Sequence, residues 1–332
     1  MGQQNKSVTP LYALAGDIGG TQIRAALVDS AGEIVARDAT DMRPEEGIDS
    51  AADRLCELAD RVSDGIDPSS IAGFGISTAG PIDPSEGFYS HPPNLIGWHE
   101  KTMVPRIAER TGHTPNIIHD AHAAAFAEWK FGAAQEHRDV VYVTVSTGLG
   151  GGMLSDGVPV NGRHGMAGEI GHLIIDATGP ACNAGCKGCL EVLAAGGGVA
   201  RAAREAIVNA PDSQLLALAN GDASAITGRV VYAAAEAGDE IAIQIVERAV
   251  NALSIGFANL LATFDPGVIV VGGSVVVGDD EVAGLRRHWD DLIARTQATA
   301  LLRYRDHVPI VVSQLGDDVG LLGAAAYAFE QN

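Results

Sequence analysis

The chain has 332 residues, 46% of them hydrophobic and 19% charged, the balance of a soluble globular protein with one or two cores and not of a disordered chain. Lys and Arg total 22 against 42 Asp and Glu. The formal charge of −20 repels phosphate backbones and anionic lipid headgroups, so neither nucleic acid nor membrane is expected as a partner.

Beta-branched runs alternate with helical periodicity along the whole sequence, which predicts an α/β protein. LYALAG (11–16) reads as a buried strand, IRAALVD (23–29) as the next and EIVAR as a third after a Ser30-Ala31-Gly32 turn. A helix is predicted from Ile48 to Val62, a strand over IAGFGIS (71–77) and a long Pro- and Gly-rich loop over 81–98. NIIHD forms a strand ending near Asp120, and AHAAAFAEWKFG follows as a helix.

From Val140 to Val160 the opening plan returns. VYVTVSTGLGG with MLSDGVPV repeats LYALAGDIGGT with IRAALVDSAGEIV: strand, Gly-rich turn, strand, tight turn, strand, about 130 residues apart. Two similar α/β domains facing a cleft are the expected architecture. The rest is mostly helical, longest from Ile241 to Phe264, where Asp265-Pro266-Gly267 stops it. Strands at 268–271 and 309–313 and a last helix from Val319 to Phe329 complete the chain.

DIGGT (17–21) and STGLGGG (146–152) are turns whose backbone amides can approach an anion, because glycine has no side chain in the way. Gly19, Gly20 and Gly148 provide that access, Thr21 and Thr147 add hydroxyl donors, and Asp17 can hold a hydrated magnesium ion. One such turn alone is more often a plain hairpin. The pairing, with a third glycine turn at Gly272 and Gly273, favours a nucleotide gripped from both domains. No GxxxxGK[ST] pattern occurs.

MGQQNKSVTP lacks the cationic start and apolar core of a secretory signal, and Lys6 occupies the position where myristoylation needs Ser or Thr. The most apolar later run, Val268 to Val277, is ten residues long with glycines inside it, too short for a bilayer. A cytoplasmic location is expected. In that reducing compartment Cys182, Cys186 and Cys189 of CNAGCKGC read as metal ligands before disulfide partners. Cys56 lies in an apolar helical pattern and reads as a core residue.

DIGGT, TAGPID, PPNLIGW, the Asp120 segment, STGLGGG, HGMAGEIGH (164–172) and the cysteine cluster ending CLE (189–191) together resemble the ROK family, with GMAGEIGH plus the cysteines the most specific part. These are bacterial sugar kinases and related repressors on the two-domain actin-like, ribonuclease H-like ATPase fold. The resemblance spans nearly the whole chain. It implies ATP-dependent phosphorylation of a hexose at its terminal hydroxyl, most simply a glucokinase, with a kinase for another hexose such as N-acetylmannosamine, N-acetylglucosamine or fructose as the alternative. It also implies a homodimer, a small domain of residues 1–119 with 317–332 and a large domain of residues 120–316.

The matching positions imply roles. Asp120 is the general base, though its place before an Ala-rich helix also suits an N-cap. Glu169, His172 and Glu191 clamp the sugar with Gly80, Pro81, Asn94 and His119, since carboxylates accept and imidazole donates to hydroxyls that do both. His172, Cys182, Cys186 and Cys189 form a closed structural zinc site of one imidazole and three thiolates. ATP, Mg2+ and Zn2+ are the implied cofactors.

The chain departs from the family pattern twice. The register of the middle cysteine falls on Ala184, so either Cys186 replaces it by another loop path or the site is altered. His119 and His122 stand where the family usually has Asn, which bears on the choice of sugar; the plain alternative is a strand-end and a helix-surface histidine. A sugar-responsive repressor needs a helix-turn-helix domain, for which only about ten residues precede the first strand. A silent sugar-binding protein would have no use for Asp17, Asp120 and both glycine loops.

Overall fold

A strand buried on both faces reads as a continuous apolar run, and β1 (Tyr12–Ile18) is one, with Ala13 to Gly16 and Ile18 buried. In the computed structural model, which describes residues 11–83, 86–90, 92, 95, 97–210, 212–278, 281–304 and 307–331, it is the centre of a sheet. Contacts divide the chain into two units, Met1–Gln135 with Pro159–Ala167 and Asp317–Asn332, and Glu136–Val158 with Gly168–Gly316.

In the first unit β2 (Gln22–Asp29) and β3 (Ile34–Asp41) pair antiparallel beside β1, and β4 (Ile71–Thr78) pairs parallel on its other side. A short hairpin of β5 (Ile82–Asp83) and β6 (Phe88–Tyr89) lies within the stretch expected to be loop. β7 (Asn116–His119) closes the sheet order β3-β2-β1-β4-β7. α1 (Ile48–Val62) and α2 (Val104–Thr111) are amphipathic, and α1 buries Leu55, Cys56 and Leu58 in this core, as expected for Cys56.

α3 (Asp120–Phe131) is rich in alanine and aromatic residues, and is buried on most sides. It packs on β4's neighbour, the C-terminal helix Val319–Gln331, at backbone distance: a Cβ on Gly323 would collide with the Ala123 carbonyl, and one on Gly75 with that of Ala324. That contact keeps α3 in the first unit, whereas the expected boundary put residues 120–135 with the second.

The second unit repeats the plan. β8 (Val140–Val145) pairs antiparallel with β9 (Leu149–Ser155) and parallel with β11 (Val268–Gly272), giving the order β10-β9-β8-β11-β12 with β10 (Val158–Pro159) and β12 (Ile310–Val312) at the edges. Its helices are α4 (Leu190–Ala194), α5 (Gly196–Ala206), α6 (Gln214–Leu218), α7 (Gly228–Glu236), α8 (Glu240–Phe264), α9 (Ser274–Val277) and α10 (Trp289–Thr299).

α8 is 25 residues long and apolar enough to cross a membrane by composition, but its apolar face is the core against which α4, α5, α7 and α10 pack. The Asp239 carboxylate caps its first turn by accepting from Ala242 N at 2.9 Å. Asp265 ends it in the left-handed conformation, followed by Pro266.

Candidate active site

In the first unit the carboxyl ends of β1, β4 and β7 carry the residues singled out from sequence. Asp120 is the first residue of α3, and His119, not Asp120, holds the N-cap position. The Asp120 Oδ1 accepts from Ala121 N at 2.7 Å, and among the described residues no hydrogen-bond donor reaches Oδ2. Burial pushes the Asp120 carboxyl above the ordinary carboxylate range, opposed by His119 and the Ala121 N–H and reinforced by Asp17. Water still reaches 52% of the side chain, so this push is weaker than for an enclosed carboxylate.

Gly80 lies two residues past β4, and a Cβ there would come 2.9 Å from His119 Nε2. Pro81 accepts through its carbonyl from Ser90 N at 2.9 Å, which ties the Gly80-Pro81 loop to the β5–β6 hairpin. That hairpin, His99, Glu100 and residues 161–165 line a polar cavity of about 800 Å³. Asn94 lies outside the described residues.

Asp17 sits near the end of β1 opposite Arg24 on β2, and its Oδ2 accepts from Arg24 Nε at 3.0 Å and from the terminal nitrogen at 2.6 Å. The expected magnesium-bearing carboxylate therefore has one oxygen already engaged. Sequence reading missed Arg24; its signal is the strand pairing, which sets it directly across from Asp17. The turn beyond is closed by Gly19 N to Gln22 O at 3.0 Å and leaves Gly20 and Thr21 exposed.

In the second unit Thr147 and Gly148 form the turn between β8 and β9. The carbonyls of Ser146 and Thr147 accept from Gly196 N and Gly197 N, both at 2.8 Å, and Ser146 Oγ accepts from Ser274 N at 3.1 Å. The turn is thereby joined to the start of α5 and to the Gly272-Gly273 turn, where Gly273 has φ +97° and lies against the Val145 backbone. A cavity of about 420 Å³ opens there, lined among others by Thr147, Gly197, Arg204, Thr227 and Arg229. The glycine run 196–198 is the signal that would have exposed this wall.

His172 ends a 3-10 turn, with Glu169 at its N-cap, and its Nδ1 lies 3.9 Å from Cys182 Sγ and 3.7 Å from Cys186 Sγ. The ligand atoms of His172, Cys182, Cys186 and Cys189 all fall within 4.8 Å of one another. A tetrahedral zinc with its usual bonds has nitrogen–sulfur edges of about 3.6 Å and sulfur–sulfur edges of about 3.8 Å, so the group fits that ion. Cys182 N donates to Cys186 O at 2.8 Å across a tight turn with Gly185 at φ +94°, which brings Cys186 inward and leaves Ala184 exposed. Of the two loop paths open from sequence, this is the one in which Cys186 joins the group. Burial pushes the Cys189 thiol up to about 12, so a cation is what would make it a thiolate.

Glu191, two residues on, reaches the turn between β8 and β9. Its Oε2 accepts from Leu149 N at 3.1 Å and meets Gly148, while Oε1 lies 4.0 Å from Cys182 Sγ. The His172 Nε2 lies 4.0 Å from Glu169 Oε2.

A family model described as ROK family matches residues 13–331. The chain belongs to the ROK family. Among its ROK relatives, a glucokinase of Thermotoga maritima is 32% identical over 95% of this chain and 96% of its own length. An N-acetylmannosamine kinase of Citrobacter koseri is 33% identical over 96% and 99%. A ROK glucokinase of Streptomyces griseus, solved with glucose and AMPPNP, is 30% identical, with TM-score 0.73 over 97% of this chain and all of its own.

Proposed function

We propose that this chain is an ATP-dependent hexose kinase that transfers the γ-phosphoryl group of ATP to the 6-hydroxyl of glucose. The observation that carries the proposal is Asp120, a water-accessible carboxylate at a strand end with Oδ1 held by a backbone amide and Oδ2 free. The sugar hydroxyl gives its proton to Oδ2 as its oxygen attacks the γ-phosphorus and the bond to the β–γ bridging oxygen breaks. Because the transition state is loose, Asp120 chiefly orients the hydroxyl, and removing such a group typically costs about 10²- to 10⁴-fold.

Thr147 and the amides of the second glycine turn suit the phosphates, with the adjoining cavity for the nucleoside. Gly19, Gly20 and Thr21 are read as the first phosphate loop. Glu169 accepts from sugar hydroxyls and His172 donates from Nε2 when Nδ1 is a ligand. Glu191 keeps only Oε1 for the sugar, since Oε2 serves Leu149. Asp17, with Oδ2 on Arg24, would hold the water shell of a magnesium ion, whose chemistry would be to neutralise phosphate charge. His172 and the three cysteines would hold a zinc ion, which would fix the start of α4 that carries Glu191.

A second reading is a kinase for an N-acetylated hexose, favoured by the polar cavity beside the Gly80-Pro81 loop, which has room for a substituent. The test is ADP release from Mg-ATP with glucose, N-acetylmannosamine, N-acetylglucosamine and fructose offered separately. Turnover greatest with glucose supports the first reading, turnover confined to an N-acetyl sugar supports the second, and none with any sugar contradicts both. We also infer a cytoplasmic homodimer, which sedimentation would check by a mass of twice 34.2 kDa.

A further inference from the structure

His119 ends β7 in register with Thr78 of β4 and projects between two neighbours. The Cδ2–Nε2 edge of its ring lies against Gly80, where an added Cβ would come 2.5 Å from Cδ2. On the other side it meets the His122 ring edge to face, with centroids 5.9 Å apart. His122 is 2% exposed, and its Nε2 is 3.1 Å from the Val160 carbonyl. A carbonyl only accepts, so Nε2 carries the hydrogen, and burial together with the nearby His119 pushes the His122 pKa down to about 4, leaving it neutral.

Held this way, the His119 ring presents Nδ1 to Asp120 Oδ1 at 3.2 Å. Nδ1 is buried with no aligned hydrogen-bond partner. The contact is an ion pair only when the ring is protonated, a small ring rotation turns it into a hydrogen bond, and such bonds are often loosely aligned before substrate arrives.

The other titratable and charged groups around Asp120 do not substitute for it. Asp17 of β1 repels the Asp120 carboxylate and is itself engaged by Arg24 of β2. His122 of α3 is neutral.

We propose that His119 is a positioning residue for phosphoryl transfer: its ring, set between Gly80 and His122, faces Oδ1 of Asp120, favours the ionised carboxylate whenever the ring carries a second proton and leaves Oδ2 to the sugar hydroxyl. The inference rests on Asp120 being the base. The proton from the sugar hydroxyl rides on Asp120 Oδ2 until it passes to solvent as products leave. Glutamine or asparagine at 119 preserves polarity and removes the charge. It follows that this residue sets the pH range of catalysis, not only the fit of the sugar.

The experiment follows the Asp120 carboxyl by ¹³C NMR in nucleotide-free protein, assigned by its loss in D120N, for the wild type, H119N and H119K. The expected result is a titration about one pH unit higher in H119N and near the wild type in H119K. The loss of hexose kcat/KM in H119N should then be about tenfold greater at acid pH than at pH 8. Identical Asp120 titration in wild type and H119N overturns the proposal, as does a loss equal at every pH, which a purely structural or sugar-contact role would give. H119Q, compared by the same titration, replaces H119N if the latter loses its near-ultraviolet dichroism. If no hexose is phosphorylated the reading of Asp120 as base fails, yet the titration still decides whether His119 governs its charge.

Discussion

The two glycine turns sit at the same place in two sheets of the same order, yet they are anchored by different chemistry. Between β1 and β2 the anchor is an ion pair within the hairpin, Asp17 with Arg24, directly across the strands. Between β8 and β9 it is distant: backbone amides of α5, the Ser146 hydroxyl, and the Glu191 carboxylate from α4, just after the cysteines. A repeated topology thus sets where a turn lies, and the sequence around each copy decides what holds it. The second turn should therefore fail when remote residues are changed, and the first, whose Arg24 also donates to the Asp317 carbonyl at 3.0 Å, should be less sensitive.

The largest effect is expected at the His-Cys group. Cys186→Ser removes one of four ligands, and loss of the ion should lower stability by about 3 kcal/mol or more, near 10 °C in thermal midpoint for a unit this size. Metal analysis and a melting curve check it; equal metal content and midpoint in the variant would show that Cys186 is no ligand.

Next is a pH effect confined to the first unit. The His122 pKa falls from an ordinary 6.5 to about 4 on folding, so the unfolded chain binds its proton first and stability is lost as pH drops through that window. Between pH 7 and pH 5 the loss should be about 2 kcal/mol, and H122Q should show that much less of it in urea unfolding at the two pH values. A slope unchanged by H122Q would mean His122 is charged in the fold.

Smaller again is Glu191→Ala, which removes a charged acceptor from Leu149 N. We expect the KM for ATP to rise about tenfold, matching about 1.5 kcal/mol for such a bond, with kcat changed less. A rise in sugar KM alone would place Glu191 on the sugar and not on the turn. Last comes Arg24→Gln: a partly exposed pair such as Asp17–Arg24 contributes about 1 kcal/mol or less, so the midpoint should move by only a few degrees. A larger drop than that of Cys186→Ser would invert the comparison.

Much of this was legible because the signals are local. Apolar runs of four to seven residues punctuated by glycine mark β1, β4, β8 and β11, and the repeat of strand, glycine turn and strand marks the two sheets. The metal group was legible from residue types, but Cys186 turning inward depends on a tight turn at Gly185 that spacing alone leaves open. What could not be read is nonlocal. Arg24 meets Asp17 only through strand register, and Glu191 meets Leu149 across 42 positions. α3 joins the first unit because Gly323, some 200 positions on, lets another helix approach Ala123. The β5–β6 hairpin was hidden in a Pro-rich stretch where strand patterning is two residues long.

The central claim is that this fold transfers phosphoryl to a hexose with Asp120 as the base. ³¹P NMR of Mg-ATP and glucose with wild type and with D120N tests it most directly. The account predicts a hexose 6-phosphate resonance growing in step with ADP in the wild type and at least about 10²-fold more slowly in D120N. A wild-type spectrum in which ATP yields only inorganic phosphate, or a D120N rate equal to the wild type, would contradict it.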